Sequence, residues 1–405
     1  MKKYILGSLG CGFLLTGLAG MAAAQTLSDE LASAIKDGQV KLNYRLRFEH
    51  VDDDAFPDPA SALTGRLLLG YGTADFYGFK AYVEMENVHA FGGQAYASKP
   101  APGNSRPVVA DPEDSELHQA YLSFMGIPNS SLNLGRQRVV LDNARFIGDV
   151  GWRQNAQTFN ALTFNSHLIQ DVDFTYGYLS HTHRVDFQDI DTDANLFNVS
   201  YSALPIGKLT AYAYLLDFNE HDLTAPQRAP YADTQSYGLR LTGSRAMASA
   251  KLLYTLEYAK QNAYHDASGI DEHYYLAEVG TEIRSITVKL TQEMLGGNGH
   301  SAFQTPLATL HAFNGWADKF LTTPANGLVD NFLSVGTSLS GIQYLAMYHD
   351  FQADHGSADY GRELDVQASK KLTPYLTLLL KYANYNAEDY ARNTKKYWVM
   401  SEINF

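Results

Sequence analysis

From Val40 almost to the last residue, Phe405, the chain alternates apolar and polar residues one by one. In VKLNYRLRFE (40–49), Val40, Leu42, Tyr44, Leu46 and Phe48 fall on one side of an extended backbone. Lys41, Asn43, Arg45, Arg47 and Glu49 fall on the other. Successive side chains of a strand point to opposite faces, so this period of two specifies strands. The pattern returns in LTGRLLLGY, with Leu63, Leu67, Leu69 and Tyr71 against Thr64 and Arg66. In FYGFKAYVEMEN, Tyr77, Phe79, Ala81, Val83 and Met85 oppose Lys80, Glu84 and Glu86. KLLYTLEY (251–258) and ITVKLTQE (286–293) repeat it. About 18 such segments are present, each near the 9–11 residues that a tilted membrane-spanning strand needs.

A soluble sheet buries its oily face and wets its charged one; a membrane barrel does the reverse. The connections decide between them. Short joins fall near 72–75, 126–130, 165–167, 203–207, 243–246, 284–285, 340–341 and 371–374, with long polar segments between them, including 90–116, 219–234 and 296–328. Short turns at one end and long loops at the other describe an all-β, antiparallel, up-and-down transmembrane barrel with periplasmic turns and extracellular loops. Arg45 and Arg47 then face a wet lumen, because an arginine on the lipid face costs about 2–4 kcal/mol at the midplane.

Composition agrees. The 27 Tyr and 20 Phe suit the two aromatic girdles of a barrel. Residues 1–24, with Lys2 and Lys3, an apolar run and Ala22-Ala23-Ala24, read as a secretory signal. Residues 25–39 form a short periplasmic segment and 40–405 the barrel. Cys11, the only cysteine, lies in the signal, so the mature chain has no disulfide. The formal charge of −13 becomes −15 once Lys2 and Lys3 are removed, since the segment holds no acid. Such an acidic balance argues against nucleic acid as a partner. The expected surroundings are lipid bilayer and lipopolysaccharide in the bacterial outer membrane. The closing strand YWVMSEINF, ending on Phe405, matches the tail by which such barrels are handed to their assembly machinery.

Three stretches carry a family resemblance: DGQVKLNYRLRFEHVD near the start, GRQRVVLDNARFIGDVGWRQNAQTFNAL (135–162) and TPLATLHAFNGWADKFLTTPANGLVD (305–330). The chain resembles the alginate-export family of outer-membrane porin-like barrels. That resemblance implies 18 strands and passage of an anionic or sugar-like solute rather than catalysis. Two departures count against alginate itself as the solute. All the periplasmic turns inferred here are short, and Glu84, Glu86, Glu257, Glu278, Glu282, Glu293, Glu363 and Asp365 also sit on the inner faces.

Eight of the 15 arginines lie between positions 45 and 153. Guanidinium forks bind carboxylates bidentately, so a basic strip would favour small anionic solutes. The pore-lining candidates are Arg45, Arg47, Arg66, Lys80, Glu84, Glu86, Arg136, Arg138, Arg145 and Arg153; the opposing reading is that the arginines pair with lumen acids and hold the barrel. Trp152, Phe313, Trp316 and Phe320 are candidates for stacking on sugar rings, the loops around them folding inward. His181 and His183 lack a third metal ligand nearby, and the Asp-rich VDDDAF and DIDTD miss the EF-hand spacing. No metal, cofactor or catalytic residue is expected, and no hydrolase, Walker or haem motif is present. The alternative to a channel is a barrel plugged by loops 90–116 and 296–328, serving as a structural or adhesive protein for a surface glycan or partner.

Overall fold

The computed structural model describes residues 26–405 apart from 94, 220–228 and 266, so the signal segment with Cys11 and part of the 219–234 loop lie outside the described residues. A helix over residues 26–36 precedes the strands. The strands are β1 (Gln39–Asp53), β2 (Ala60–Gly72), β3 (Phe79–Ala90), β4 (Asp114–Phe124), β5 (Ser130–Gln137), β6 (Thr158–Ser166), β7 (Val172–His183), β8 (Asp189–Leu204) and β9 (Gly207–Phe218). They continue as β10 (Thr234–Ala246), β11 (Lys251–Ala263), β12 (Asp271–Ile283), β13 (Ile286–Leu295), β14 (Leu328–Leu339), β15 (Ile342–Gln352), β16 (Asp359–Lys371), β17 (Leu376–Ala387) and β18 (Thr394–Asn404).

Each strand pairs antiparallel with its sequence neighbours, and β1 pairs with β18, so the 18-stranded sheet closes on itself. Closure leaves no edge strand, as hydrocarbon requires, because an unpaired backbone group there has no water to bond. The seam is continued by the terminus. The Phe405 N–H donates to the Leu42 carbonyl at 2.9 Å and the Leu42 N–H to the Phe405 carbonyl at 3.2 Å.

The alternation is realised as read. Along β1, Arg45, Arg47 and Glu49 are buried inside while Val40 and Phe48 are exposed outside. Leu67 and Leu69 of β2, Leu256 of β11 and Leu290 of β13 form part of the outer apolar band, opposite the inward Arg66, Glu257 and Glu293. The short joins are present, with three differences. Asn165 and Ser166 still pair with Thr175 and Phe174, so that turn falls at 167–171 rather than 165–167. Arg245 and Ala246 still pair with Leu252 and Lys251, so the turn falls at 247–250 rather than 243–246. Tyr77 belongs to a turn with φ 53° and not to a strand.

The interior is where this barrel departs from a simple tube. Three loops at the end opposite the short turns fold into it: 91–113, 138–157 and 296–327. They are tied to one another, with Gly148 N–H to the Leu307 carbonyl at 2.7 Å and Thr309 N–H to the Ala144 carbonyl at 2.9 Å. Phe146, Ile147, Phe303, Leu307, Trp316 and Phe320 from these loops pack with inward strand residues such as Tyr212, Tyr274 and Phe351 in one buried cluster. Such a core inside a barrel replaces much of the water that an 18-strand ring could hold.

Candidate functional site

The arginines of β1 and β2 point at loop backbone. Arg45 Nη1 donates to the carbonyls of Gly151, Trp152 and Arg153 at 3.0, 3.2 and 3.2 Å. Arg47 bonds the Trp152 carbonyl and pairs with Asp111, which also accepts the Gln154 N–H at 2.9 Å. Arg66 Nη1 donates to the Gln154 carbonyl at 3.2 Å. A guanidinium carries five donors in a rigid fork, so it can satisfy several carbonyls of an irregular segment at once. Carbonyls that would otherwise lie unbonded in the lumen fix the 151–154 turn against the wall.

Loop 138–157 is pinned at its other end by Arg145, which reaches Glu293 Oε1 at 2.6 Å, Thr305 Oγ1 at 3.0 Å and Asn314 Oδ1 at 3.0 Å. Arg153 bridges Glu49 Oε2 and Asp318 Oδ2, both at 3.1 Å. Acids of β16 hold loop 296–327: Asp365 accepts the Trp316 N–H at 3.1 Å and Glu363 the Ala317 N–H at 2.6 Å. Gly315 has φ 83°, and a Cβ there would fall 2.3 Å from Glu363 Oε2, so only glycine lets this turn reach the carboxylate.

All three tryptophans of the chain meet around one lysine. Lys381 Nζ of β17 lies 3.5 Å from the Trp316 ring centroid, 4.3 Å from Trp152 and 5.6 Å from Trp398. It donates to His311 Nε2 at 2.8 Å, and His311 Nδ1 bonds Asp318 Oδ1 at 2.7 Å. The His311 ring stacks on Trp152 with centroids 4.5 Å apart. Burial is the largest influence on His311; Lys381 and Arg153 reinforce it and Asp318 opposes it, leaving the ring well below its ordinary pKa. Burial would raise the Asp318 carboxyl, but His311, Lys396 and Arg153 outweigh it and hold it well below the carboxylate range.

This latch separates two cavities. Leu310 and His311 border an outer one of about 430 Å³, together with Asp53, Arg153, Lys319 and Lys396. Ala312, Phe313 and Asn314 border an inner one of about 310 Å³, together with Arg240, Lys289, Glu278, Phe332 and His349. Arg240 is ion-paired with Glu257, and Lys289 Nζ lies 3.0 Å from Glu278.

Against these positions the sequence-derived candidates divide. Arg45, Arg47, Arg66 and Arg145 are buried as ties for the loops, with Arg47 at 0 % exposure, and do not line open passage; Arg153 is a buried tie that also borders the outer cavity. Arg138 faces the lumen half-exposed and pairs with Asp149. Arg136 does not line the pore. It shares the outward parity of Leu132 and Leu134 and reaches the Leu117 carbonyl and Asn160, because β5 ends at Gln137 and the chain turns only afterwards. Lys80 lies exposed near the short-turn end of β3, while Glu84 and Glu86 are buried on the lumen face.

Of the stacking candidates, Trp316 and Phe320 are buried and Trp152 is sandwiched between Arg47 and His311, so none of the three presents a free ring face. Phe313 is half-buried and borders the inner cavity. Asp53, from the Asp-rich VDDDAF, is buried and holds Lys319 at 2.6 Å. Missed were Lys381, His349 and Asp330 as lumen polar groups and Phe332 as a cavity wall. For Lys381 the one available signal was its inward parity in β17, cross-strand from Trp398.

A closed ring of 18 antiparallel strands, apolar outside, with loops folded into a polar lumen, defines an outer-membrane porin-type barrel. Residues 38–290 match the family model described as Alginate export, and the protein belongs to that family. Its place is the bacterial outer membrane. Among solved structures it is similar to Acinetobacter baumannii OccAB4, with TM-score 0.72 at 12 % identity over 91 % of this chain and 98 % of that one. It is also similar to Pseudomonas aeruginosa OpdK with vanillate, TM-score 0.69 at 14 % identity over 92 % and 99 %. Pseudomonas aeruginosa OccK2 in complex with glucuronate gives 0.68 at 12 % over 92 % and 100 %. At these identities the likeness is one of fold. No curated relative matches the chain in sequence.

Proposed function

We propose that the channel passes small ring-shaped carboxylates or acidic sugars by passive diffusion. The observation that carries this reading is the inner cavity, where the rings of Phe313 and Phe332 stand with the cations of Arg240 and Lys289. A volume of about 310 Å³ suits a single small ring. Each of the two cations has a single acidic ion-pair partner among the described residues, leaving further donors for a solute carboxylate. That two neighbouring folds are known with vanillate and with glucuronate supports the same chemistry here.

The test is the purified protein in a planar bilayer under a salt gradient, followed by titration of the current with glucuronate and vanillate. The expected result is anion preference and concentration-dependent block by at least one of the two. Arg240→Gln with Lys289→Gln should weaken that block about tenfold, equivalent to about 1.4 kcal/mol. Cation preference with no block by either acid would refute the reading. A second reading, the loop-plugged barrel, draws on the density of hydrogen bonds across the lumen. A folded, heat-modifiable protein that conducts nothing would favour it.

A further inference from the structure

We propose that Glu86, Glu116 and His118 form a binding site for a divalent transition metal of the zinc class in the lumen wall, with Glu84 behind the imidazole. This inference is independent of which solute the channel carries. The residues come from two adjacent strands, Glu84-x-Glu86 on β3 and Glu116-x-His118 on β4. The register shifts between Glu84 and Met85, so that Glu84 pairs with Gln119 and Glu86 with Glu116. His118 is the extra residue of this bulge, a device that re-aims a side chain.

His118 Nδ1 lies 3.3 Å from Glu116 Oε1 and 3.7 Å from Glu86 Oε2. One ligand atom from each of the three residues falls within 4.8 Å of the others. Metal–ligand bonds of 2.0–2.2 Å in a tetrahedron put neighbouring ligand atoms about 3.3–3.6 Å apart, close to these separations. An imidazole with two carboxylates suits zinc-class ions, whereas calcium takes six to eight oxygens. Glu84 Oε1 stands 4.0 Å from His118 Nε2, on the far side of the ring. That is the direction from which a carboxylate orients a metal-bound histidine. Glu84 is itself held by Tyr82 Oη at 2.7 Å and Gln119 Nε2 at 2.8 Å.

The second observation is the state of Glu86. Its carboxylate is 2 % exposed, and neither oxygen accepts a hydrogen bond among the described residues. His118 is 0 % exposed with Nε2 likewise unbonded. A buried carboxylate without a donor is costly, and a cation between it and the imidazole removes that cost. By contrast His181 and His183, the pair conspicuous in the sequence, each face a single carboxylate, Asp191 and Asp189, where His118 faces those of Glu116 and Glu86 together. The signal that the sequence did carry was two inward acid-x-acid or acid-x-His pairs on consecutive strands.

The test is calorimetric titration of the purified full barrel in detergent with zinc chloride, checked for folding by heat modifiability. One zinc per barrel is expected, with affinity lowered at least tenfold in His118→Gln and in Glu116→Gln. Glu116 is partly exposed, so its variant serves where His118→Gln does not fold. His181→Gln with His183→Gln should leave the isotherm unchanged. Cobalt in place of zinc should give visible d–d bands that the His118 variant lacks. No zinc uptake by the wild-type barrel, equal uptake by the two site variants, or loss only in the His181/His183 control would overturn the proposal.

Discussion

His311 and Arg145 do opposite electrostatic jobs within the same pair of loops. Held between a carboxylate and an ammonium, His311 fits as the neutral tautomer with its proton on Nδ1: Nδ1–H donates to Asp318 and Nε2 accepts from Lys381. A second proton would place Nε2–H against the Lys381 ammonium. Its folded pKa lies well below the ordinary value, chiefly through burial, whereas a released loop would titrate near about 6.5. The docked state is therefore fully favoured above that pH and loses stability as pH falls below it, since the undocked loop takes up a proton that the docked one refuses. Asp318, with its carboxyl depressed, stays charged through this window and gives way only in stronger acid. Single-channel records between pH 7.5 and 5 should show rising flicker as the loop releases, and His311→Gln should flatten that dependence. Arg145 instead carries permanent charge beside Glu293 in full burial. Arg145→Met leaves that carboxylate unpaired and should cost about 3–5 kcal/mol, most of it recovered in Arg145→Met with Glu293→Gln. Urea unfolding in detergent followed by tryptophan fluorescence reads this out.

At the level of elements, strands and loops differ in how far their sequence specifies them. A strand is set by its own alternation, so β1, β2 and β13 are legible residue by residue, and the joins at 284–285 and 340–341 follow from pairing across the turn. The inward folding of 138–157 was legible as an expectation because three arginines and a tryptophan crowd a polar stretch. What those arginines do was not. Whether Arg45 meets solute or a loop carbonyl depends on where Gly151 to Arg153 come to rest, and no local pattern encodes that distance. Of Arg136 and Arg138, both expected in the lumen, only Arg138 faces it, because the strand stops between them. The latch of Trp152, Trp316, Trp398 and Lys381 draws on three distant segments, and beyond the inward parity of Lys381 and Trp398 it leaves no periodic trace. Because 296–327 supplies the partition between the two cavities, replacing 305–318 with a short Gly/Ser linker should merge them. Conductance should at least double while the barrel stays heat-modifiable. Unchanged conductance would show that current bypasses the Leu310–Asn314 segment.

Over the whole molecule two solvents act on one sheet. Lipid selects the outer residues for apolarity, and the lumen, filled by loops, accepts charge, most of it ion-paired or hydrogen-bonded to loop backbone. The lumen of this protein is consequently closer to a polar protein core than to a water-filled pipe, with Arg47, Asp111, Asp330 and Glu363 all at 0 % exposure. Stability should then respond to the face of a substitution more than to its chemistry. Adjacent positions on β13 test this, since Leu290 is outward and 59 % exposed to the bilayer side while Lys289 is inward beside Glu278. Leu290→Arg places a guanidinium in hydrocarbon and should lower the folding free energy in lipid vesicles by about 2–4 kcal/mol near the midplane, less toward either interface. Lys289→Gln loses a partly wetted ion pair and should cost only about 0–1 kcal/mol while shifting ion selectivity toward cations. Reversible unfolding of the two variants in the same vesicles separates the contributions. Equal losses would mean that β13 does not present its apolar face to lipid, and the two-solvent account would fail for this part of the wall.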